Sequence, residues 1–149
     1  MSEHFLRIIP TDPLYVPPAG AQDQAISLFT SCVQGEDIRG STTEDVAFVD
    51  PGSNLERILC PNCGTVLPDE WWGQAMDQAY AETRFQDLDV VVPCCETHCS
   101  LNDLCYDRPA GFAHFLLEAR SPANDLTEED LALLGSVLGC QVRKIWAYY

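Results

Sequence analysis

The sequence predicts an α+β fold, because two strand–helix–strand patterns flank a cysteine-rich segment. Residues 4–49 and residues 112–148 each contain apolar residues at strand spacing, then at helical spacing, then at strand spacing again. Residues 55–108 between them carry cysteines at the spacing of metal ligands. This order suggests a ferredoxin-like β-α-β / β-α-β sandwich, in which two helices cover one sheet and a zinc-ribbon-like segment is inserted between the halves. A chain of 149 residues fits a single domain, residues 1–149.

The first half begins with a predicted strand over residues 4–9, which ends at a proline-rich loop. Apolar side chains then recur at helical spacing over residues 21–33, and Gly35 follows as a plausible stop. Residues 45–49 predict a short strand that ends at the turn Asp50-Pro51-Gly52. This half therefore predicts β-α-β.

The second half repeats that order with stronger local signals. Residues 112–119 alternate as a strand whose alternate residues are apolar. Thr127 is a good N-cap, and Asp130 three residues later can complete a capping box. Gly139 predicts the helix end, and residues 142–148 predict the last strand.

The segment 55–108 carries the strongest motif in the chain. Cys60-Pro-Asn-Cys63-Gly places two thiols two residues apart in a tight turn, so that both can bind one tetrahedral ion. Short strands predicted at 57–59 and 88–92 each lead into a cysteine turn, which is the layout of a zinc ribbon. A helix is predicted between them over residues 69–83. We expect a structural Zn²⁺, because thiolates are soft ligands, although iron also binds such sites.

The second cysteine cluster offers more ligands than a four-coordinate ion can accept. The candidates for the two remaining places are Cys94, Cys95, His98 and Cys99. In a strand, adjacent side chains diverge, which favours Cys95 with Cys99 or Cys94 with His98; a tight turn would bring Cys94 and Cys95 together. The expected ligands are Cys60, Cys63 and Cys95, with Cys94 or Cys99 as the fourth. A closed thiolate shell leaves no place for a substrate, so no residue is predicted to be catalytic.

Charge limits the class of partner. The chain has 23 acidic and 8 basic residues and a net charge of −15, which argues against binding to nucleic acid. An acidic surface instead favours a basic protein partner. The N-terminus lacks the basic start of a signal peptide, and no apolar run approaches the roughly 18 residues of a membrane span. We therefore expect a cytoplasmic protein with no membrane contact and with reduced cysteines.

The chain resembles a group of small uncharacterised bacterial proteins. The resemblance rests on these motifs: Cys60-Pro-Asn-Cys63-Gly, Pro93-Cys94-Cys95, Ser100-Leu-Asn-Asp-Leu104 and Gly111-Phe-Ala113. The double cysteine recurs in that pattern, which implies that Cys94 and Cys95 are joint ligands. The group has no established activity, so the resemblance implies metal binding but no particular function.

Two classes of function are compatible with these observations. The first is a non-enzymatic, zinc-stabilised protein-interaction domain, such as an adaptor or an acidic immunity-type protein that neutralises a basic toxin. The second is an enzyme, either a thiol oxidoreductase that uses Cys60 and Cys63 or one with a site that the sequence pattern does not reveal. The aromatic pair Trp71-Trp72 and the terminal Trp146-Ala-Tyr-Tyr149 suit either interior packing or a partner-binding patch.

Overall fold

A computed structural model describes residues 3–53 and 55–149 and has a mixed α+β architecture with an antiparallel main sheet. Over these ranges the helices are α1 (Ala19–Cys32), α2 (Asp69–Thr83) and α3 (Glu128–Leu138). The strands are β1 (His4–Pro10), β2 (Glu36–Val49), β3 (Ile58–Leu59), β4 (Asp89–Val91), β5 (His98–Ser100), β6 (Cys105–Tyr106), β7 (Gly111–Arg120) and β8 (Val142–Tyr148). A single 3₁₀ turn covers Leu101–Asp103 in the described part of the chain. None of the described helices is both long enough and apolar enough to span a bilayer.

The main sheet has the strand order β2-β7-β1-β8, and every neighbouring pair is antiparallel. Its first two strands in the chain flank α1, and its last two flank α3, so both predicted strand–helix–strand units are present. Helices α1 and α3 pack together on one face of the sheet, where the largest core cluster includes Phe29, Phe115 and Leu134. The aliphatic and aromatic side chains on alternate residues of β1 and β7 therefore supply the main core.

Helix α3 begins and ends where the sequence predicts. The Thr127 hydroxyl accepts the Asp130 N–H at 3.1 Å, and the Asp130 carboxylate accepts the Thr127 N–H at 3.1 Å. This reciprocal pair is the predicted capping box, and it satisfies two N–H groups at the helix start. Gly139 ends the helix with a φ of 80°, a left-handed conformation that glycine adopts without strain.

Strand β2 is much longer than the predicted strand at residues 45–49. It begins at Glu36, and its first part pairs with β7 through residues such as Arg39 and Thr42. Register shifts between Glu36 and Arg39 and between Thr42 and Ala47 interrupt the pairing. The predicted start of the strand was wrong. Residues 36–45 lie at a sheet edge and are mostly exposed, so they are held by backbone hydrogen bonds and show no alternation of apolar residues from which a strand could be predicted.

The turn Asp50-Pro51-Gly52 carries the chain from one edge of the sheet to the other. Strands β2 and β8 are opposite edges, yet Gly52 bridges Tyr148 of β8. Val49 packs with Ile9 and Ile145, and the adjacent residues Ile8 and Trp146 belong to the core under the helices. Because successive side chains of a strand point to opposite faces, the turn crosses the sheet on the face away from the helices. Gly52 has a φ of 67°, and a Cβ there would overlap the Tyr148 carbonyl oxygen, so only glycine fits.

The cysteine segment, residues 55–108, folds as two small two-stranded sheets and one helix. Strand β3 pairs with β6, which lies far along the chain, and β4 pairs with β5 as a hairpin, so each predicted cysteine-bearing strand lies in its own sheet. These sheets and α2 surround a second core cluster, which joins the main sheet through Val46 and Phe112. Asn102 strengthens this junction, since its side chain accepts the Phe112 N–H at 2.9 Å and donates to the Thr11 carbonyl at 3.0 Å.

Candidate metal centre

The four cysteines Cys60, Cys63, Cys94 and Cys95 converge at the tips of two turns. Their Sγ atoms all lie within 4.8 Å of one another. The Sγ atoms of Cys60 and Cys95 are 3.8 Å apart, those of Cys63 and Cys94 are 3.4 Å apart, and those of Cys94 and Cys95 are 3.9 Å apart. The sequence thus identifies the residues that converge, and the structure brings Cys94 rather than Cys99 into the group.

The first turn follows β3 and places the Cys60 and Cys63 side chains on the same side. The Cys60 N–H donates to the Thr65 carbonyl at 2.8 Å, and the Gly64 N–H donates to the Cys60 carbonyl at 2.9 Å. Gly64 has a φ of 76°, which turns the chain back after Cys63. The Cys60 sulfur accepts backbone N–H groups from Asn62 at 3.4 Å and from Cys63 at 3.5 Å, which orient its side chain within the turn.

The second turn follows β4 and repeats the backbone pattern of the first. The Val92 N–H donates to the Thr97 carbonyl at 3.1 Å, and the Glu96 N–H donates to the Val92 carbonyl at 3.0 Å. Glu96 has a φ of 56° at the position that Gly64 occupies in the first turn. Three residue pairs are therefore equivalent in the two turns: Pro61 and Pro93, Cys63 and Cys95, Thr65 and Thr97.

This equivalence explains why adjacent cysteines can both reach the centre. Val92 occupies the place of Cys60 and is fully buried in the second core, so the second turn has no thiol at its first position. Cys94 supplies the missing sulfur from the third position, where the first turn has Asn62. Because residues 92–97 form a tight turn rather than a strand, Cys94 and Cys95 need not diverge.

Polar side chains from both turns contact the sulfurs. The Thr65 hydroxyl lies 3.2 Å from the Cys63 sulfur, and the Thr97 hydroxyl lies 3.2 Å from the Cys95 sulfur. Asn62 links the two turns, because its amide nitrogen lies 3.4 Å from the Cys95 sulfur and 3.1 Å from the Thr97 hydroxyl. Sequence reasoning missed these contacts, although Pro-x-Cys-x-Thr occurs at both turns. In metal sites, hydrogen bonds from residues around the ligands orient the ligand side chains and stabilise their negative charge.

These contacts shift the pKa values of the thiols in different directions. The Thr97 hydroxyl, followed by the Asn62 amide, lowers the pKa of Cys95 to about 6. The Thr65 hydroxyl likewise lowers the pKa of Cys63. Desolvation, followed by the contact with the Cys63 sulfur, raises the pKa of Cys94 to about 12. Thiolates this close repel one another, so a bound cation is needed before all four can ionise together.

The geometry of the four sulfurs fits a tetrahedral metal ion. With a Zn–S bond of about 2.3 Å, the edge of a regular tetrahedron is about 3.8 Å long. The S–S distances of 3.4, 3.8 and 3.9 Å given above bracket that value. Cys60 is buried, Cys95 is half-buried, and Cys63 and Cys94 are exposed. The four-cysteine cluster can therefore hold one metal ion at the surface of the second core, with one sulfur ligand anchored inside.

The other candidate ligands lie outside this group. Cys99 sits on β5 opposite Val90 and packs against the second core cluster. His98 precedes it on the same strand and is exposed, where it lines a groove beside α2. The remaining cysteines lie elsewhere in the described chain: Cys32 and Cys140 beside the main core, and Cys105 exposed on β6. In the described residues the cluster that could hold a metal ion thus consists of four sulfurs.

The aromatic side chains divide between packing and surface. Trp72 donates its indole N–H to the Tyr106 hydroxyl at 3.3 Å, and Tyr106 donates to the Leu101 carbonyl at 2.7 Å. Burial raises the pKa of Tyr106 to about 12, which keeps this donor protonated. Trp71, in contrast, lines the open groove beside α2. Both adjacent tryptophans are half-buried against the second core cluster, and Trp71 in addition contributes part of its surface to the groove beside α2.

Comparison of this chain with protein-family models, with curated proteins and with solved structures finds no match.

Proposed function

We propose that this chain is a non-enzymatic protein-interaction domain whose cysteine segment is held folded by one Zn²⁺. The observation that carries the proposal is the convergence of four Sγ atoms within 4.8 Å at the tips of two equivalent turns. A soft, all-thiolate, tetrahedral set favours zinc over harder ions. Four protein ligands fill the coordination shell, which supports a structural and not a catalytic ion.

The small size of the cysteine segment supports a structural role for the ion. Strands β3 and β6 have two residues each, and β4 and β5 have three each. Two-stranded sheets of this length are not stable in water on their own, so the segment depends on its packing around the second core cluster and on any link between its two cysteine turns. A metal ion that binds the folded segment contributes its binding free energy to folding.

The acidic surface supports a basic protein partner. Over the described ranges, four of the eight cations form ion pairs with carboxylates: Arg7, Arg39, Arg120 and Lys144. Most of the 23 acidic residues therefore face solvent without a cation, and the net charge of −15 favours encounter with a positively charged protein. An immunity-type protein that neutralises a basic bacterial toxin is one concrete form of this proposal.

The finer description of the fold belongs to the same proposal. Counting only the main-sheet strands in chain order, β8, β1, β7 and β2 give the spatial order 4-1-3-2 with antiparallel neighbours, which supports a ferredoxin-like sandwich. The cysteine segment would then be a zinc-ribbon-like insertion between its two halves. Membership in the group of small bacterial proteins and a cytoplasmic location remain predictions.

The experiment that tests the proposal combines metal analysis with partner capture. Elemental analysis of untagged protein should give one zinc per chain, with the four clustered thiols shielded from a thiol reagent until a chelator is added. The immobilised zinc protein should then capture a basic protein from the native host, and rising ionic strength should release that protein. Metal-free protein with a native fold, or a partner that is not basic or not released by salt, would contradict the proposal.

A thiol oxidoreductase is the second candidate, and one observation favours it. The exposed Cys63 and Cys94 sulfurs lie 3.4 Å apart, close enough to suggest a dithiol pair. This pair differs from the Cys60–Cys63 pair that the CxxC motif predicts. Reversible formation of a Cys63–Cys94 disulfide in metal-free protein, found by peptide mapping after mild oxidation, would support this candidate over the structural zinc site.

A further inference from the structure

A groove runs along the outer side of α2, beside the β4–β5 hairpin. Its volume is about 490 Å³. Ala75 and Ala79 belong to its lining, so the helix presents two small, largely buried side chains to the groove. Trp71 lines the start of the helix side, and Val91 and His98 line the hairpin side.

The charges around this groove are all of one sign. Glu82, Asp87 and Asp89 line it and are exposed. No lysine or arginine belongs to the lining, and within residues 3–53 and 55–149 no ion pair involves any of these three carboxylates. Three carboxylates without an ion pair and one indole ring thus line the same groove, a combination that attracts a guanidinium or ammonium group and can also stack against it.

We propose that this groove binds an extended segment of a protein partner that carries arginine or lysine side chains. The inference rests on the proposed function, because it assigns a place and a chemistry to the basic partner. The part of the Trp71 ring that lines the groove would contact one cationic side chain, and the carboxylates of Glu82 and Asp89 would pair with others. Val91 gives the aliphatic part of these long side chains an apolar wall.

The length of the groove sets the length of the segment. Trp71 and Glu82 are 11 residues apart on α2, which corresponds to about 16 Å along the helix axis. An extended chain covers this distance with about five residues, at about 3.3 Å per residue. Alternate side chains of such a segment would face the groove, so a basic residue at every second position suits it best.

The test measures the binding of a defined peptide to the zinc-loaded protein. The probe is a fluorescein-labelled octapeptide of alternating arginine and serine, followed by fluorescence anisotropy. The groove variant combines Glu82→Gln, Asp87→Asn and Asp89→Asn, and the matched control combines Asp23→Asn, Glu44→Gln and Asp45→Asn, which lie outside the groove. Both variants change the net charge equally, and circular dichroism with zinc analysis checks that both remain folded.

The groove variant should bind the probe about tenfold more weakly than the unmodified protein, and the control variant less than about threefold more weakly. Equal weakening in both variants would overturn the groove, because general attraction to an acidic surface would then explain the binding. A probe that fails to bind, while the captured basic partner still binds, would also overturn the groove but leave the proposed function intact. Failure of both the probe and partner capture would overturn both proposals.

Discussion

Asn102 provides a direct test of how the cysteine segment is joined to the main sheet. Its side chain is only 5% exposed and makes two hydrogen bonds to backbone groups of other elements, the Phe112 N–H and the Thr11 carbonyl. Asn102→Ala leaves both groups without this partner, the Phe112 N–H at a buried position and the Thr11 carbonyl at a half-buried one. Each unsatisfied buried group costs about 1–3 kcal/mol, so the variant should lose about 3 kcal/mol of unfolding free energy. For a chain of this length the melting temperature should fall by about 6–12 °C.

Asn124 offers a matched control for this measurement. Its side chain also bonds two backbone groups of a distant segment, accepting the Gln34 N–H at 2.7 Å and donating to the Cys32 carbonyl at 2.8 Å, and it donates to the adjacent Asp125 carbonyl at 3.3 Å, but it is exposed. Water can replace these bonds, so Asn124→Ala should cost only about 1 kcal/mol. Urea unfolding of zinc-loaded protein, followed by circular dichroism, gives both values. Equal losses in the two variants would refute the argument that buried hydrogen bonds at Asn102 hold the two parts together.

Three further predictions concern the metal centre and helix α3. Cys94→Ser should abolish stoichiometric binding of zinc, whereas Cys99→Ser should retain it, as checked by elemental analysis and by the thiolate absorption of the cobalt-substituted protein; the reverse result would assign the fourth ligand to Cys99. Glu96→Gly should stabilise the folded state by about 0.5–1 kcal/mol relative to Glu96→Ala in urea unfolding, because only glycine adopts a φ of 56° without strain. Asp130→Asn should destabilise the protein at neutral pH, because the Thr127 N–H lowers the pKa of this carboxyl. The carboxyl pKa is lower in the folded than in the unfolded state, so its contribution is complete above about pH 4 and disappears as the pH falls through the folded-state pKa; a difference between variant and unmodified protein that persists at pH 2 would contradict this.

The sequence predicts best those elements whose ends carry local signals. Helix α3 is predicted at both ends because the capping box and Gly139 act within a few residues of each other. Strand β8 is predicted to the residue, since its apolar side chains face a core. The start of β2 is not predictable in this way, because the exposed residues 36–45 are held by backbone hydrogen bonds to β7.

Which cysteines converge depends on the backbone conformation of the second cysteine segment, and the local residue types do not determine that conformation. Cys60 and Cys63 are predictable because a CxxC turn has one favoured geometry. The choice between Cys94 and Cys99 depends on whether residues 92–97 form a strand or a turn, and the backbone hydrogen bonds of Val92 determine this. The sequence does contain a signal for the turn, the repeated Pro-x-Cys-x-Thr pattern. This pattern aligns Cys95 with Cys63 and so predicts that the second segment forms the same turn as the first.

The candidate metal centre and the groove share one structural element, the β4–β5 hairpin. Its tip carries Cys94 and Cys95, and its outer face lines the groove through Val91 and His98. At its base the Leu101 N–H donates to the Leu88 carbonyl at 2.8 Å, but the strands between have only three residues each. A hairpin this short needs support at the tip, and a metal ion would fix that tip to the turn after β3. The ion would therefore fix the position of the groove wall without contacting the partner. In this way a structural metal can affect the binding of a ligand that it does not touch.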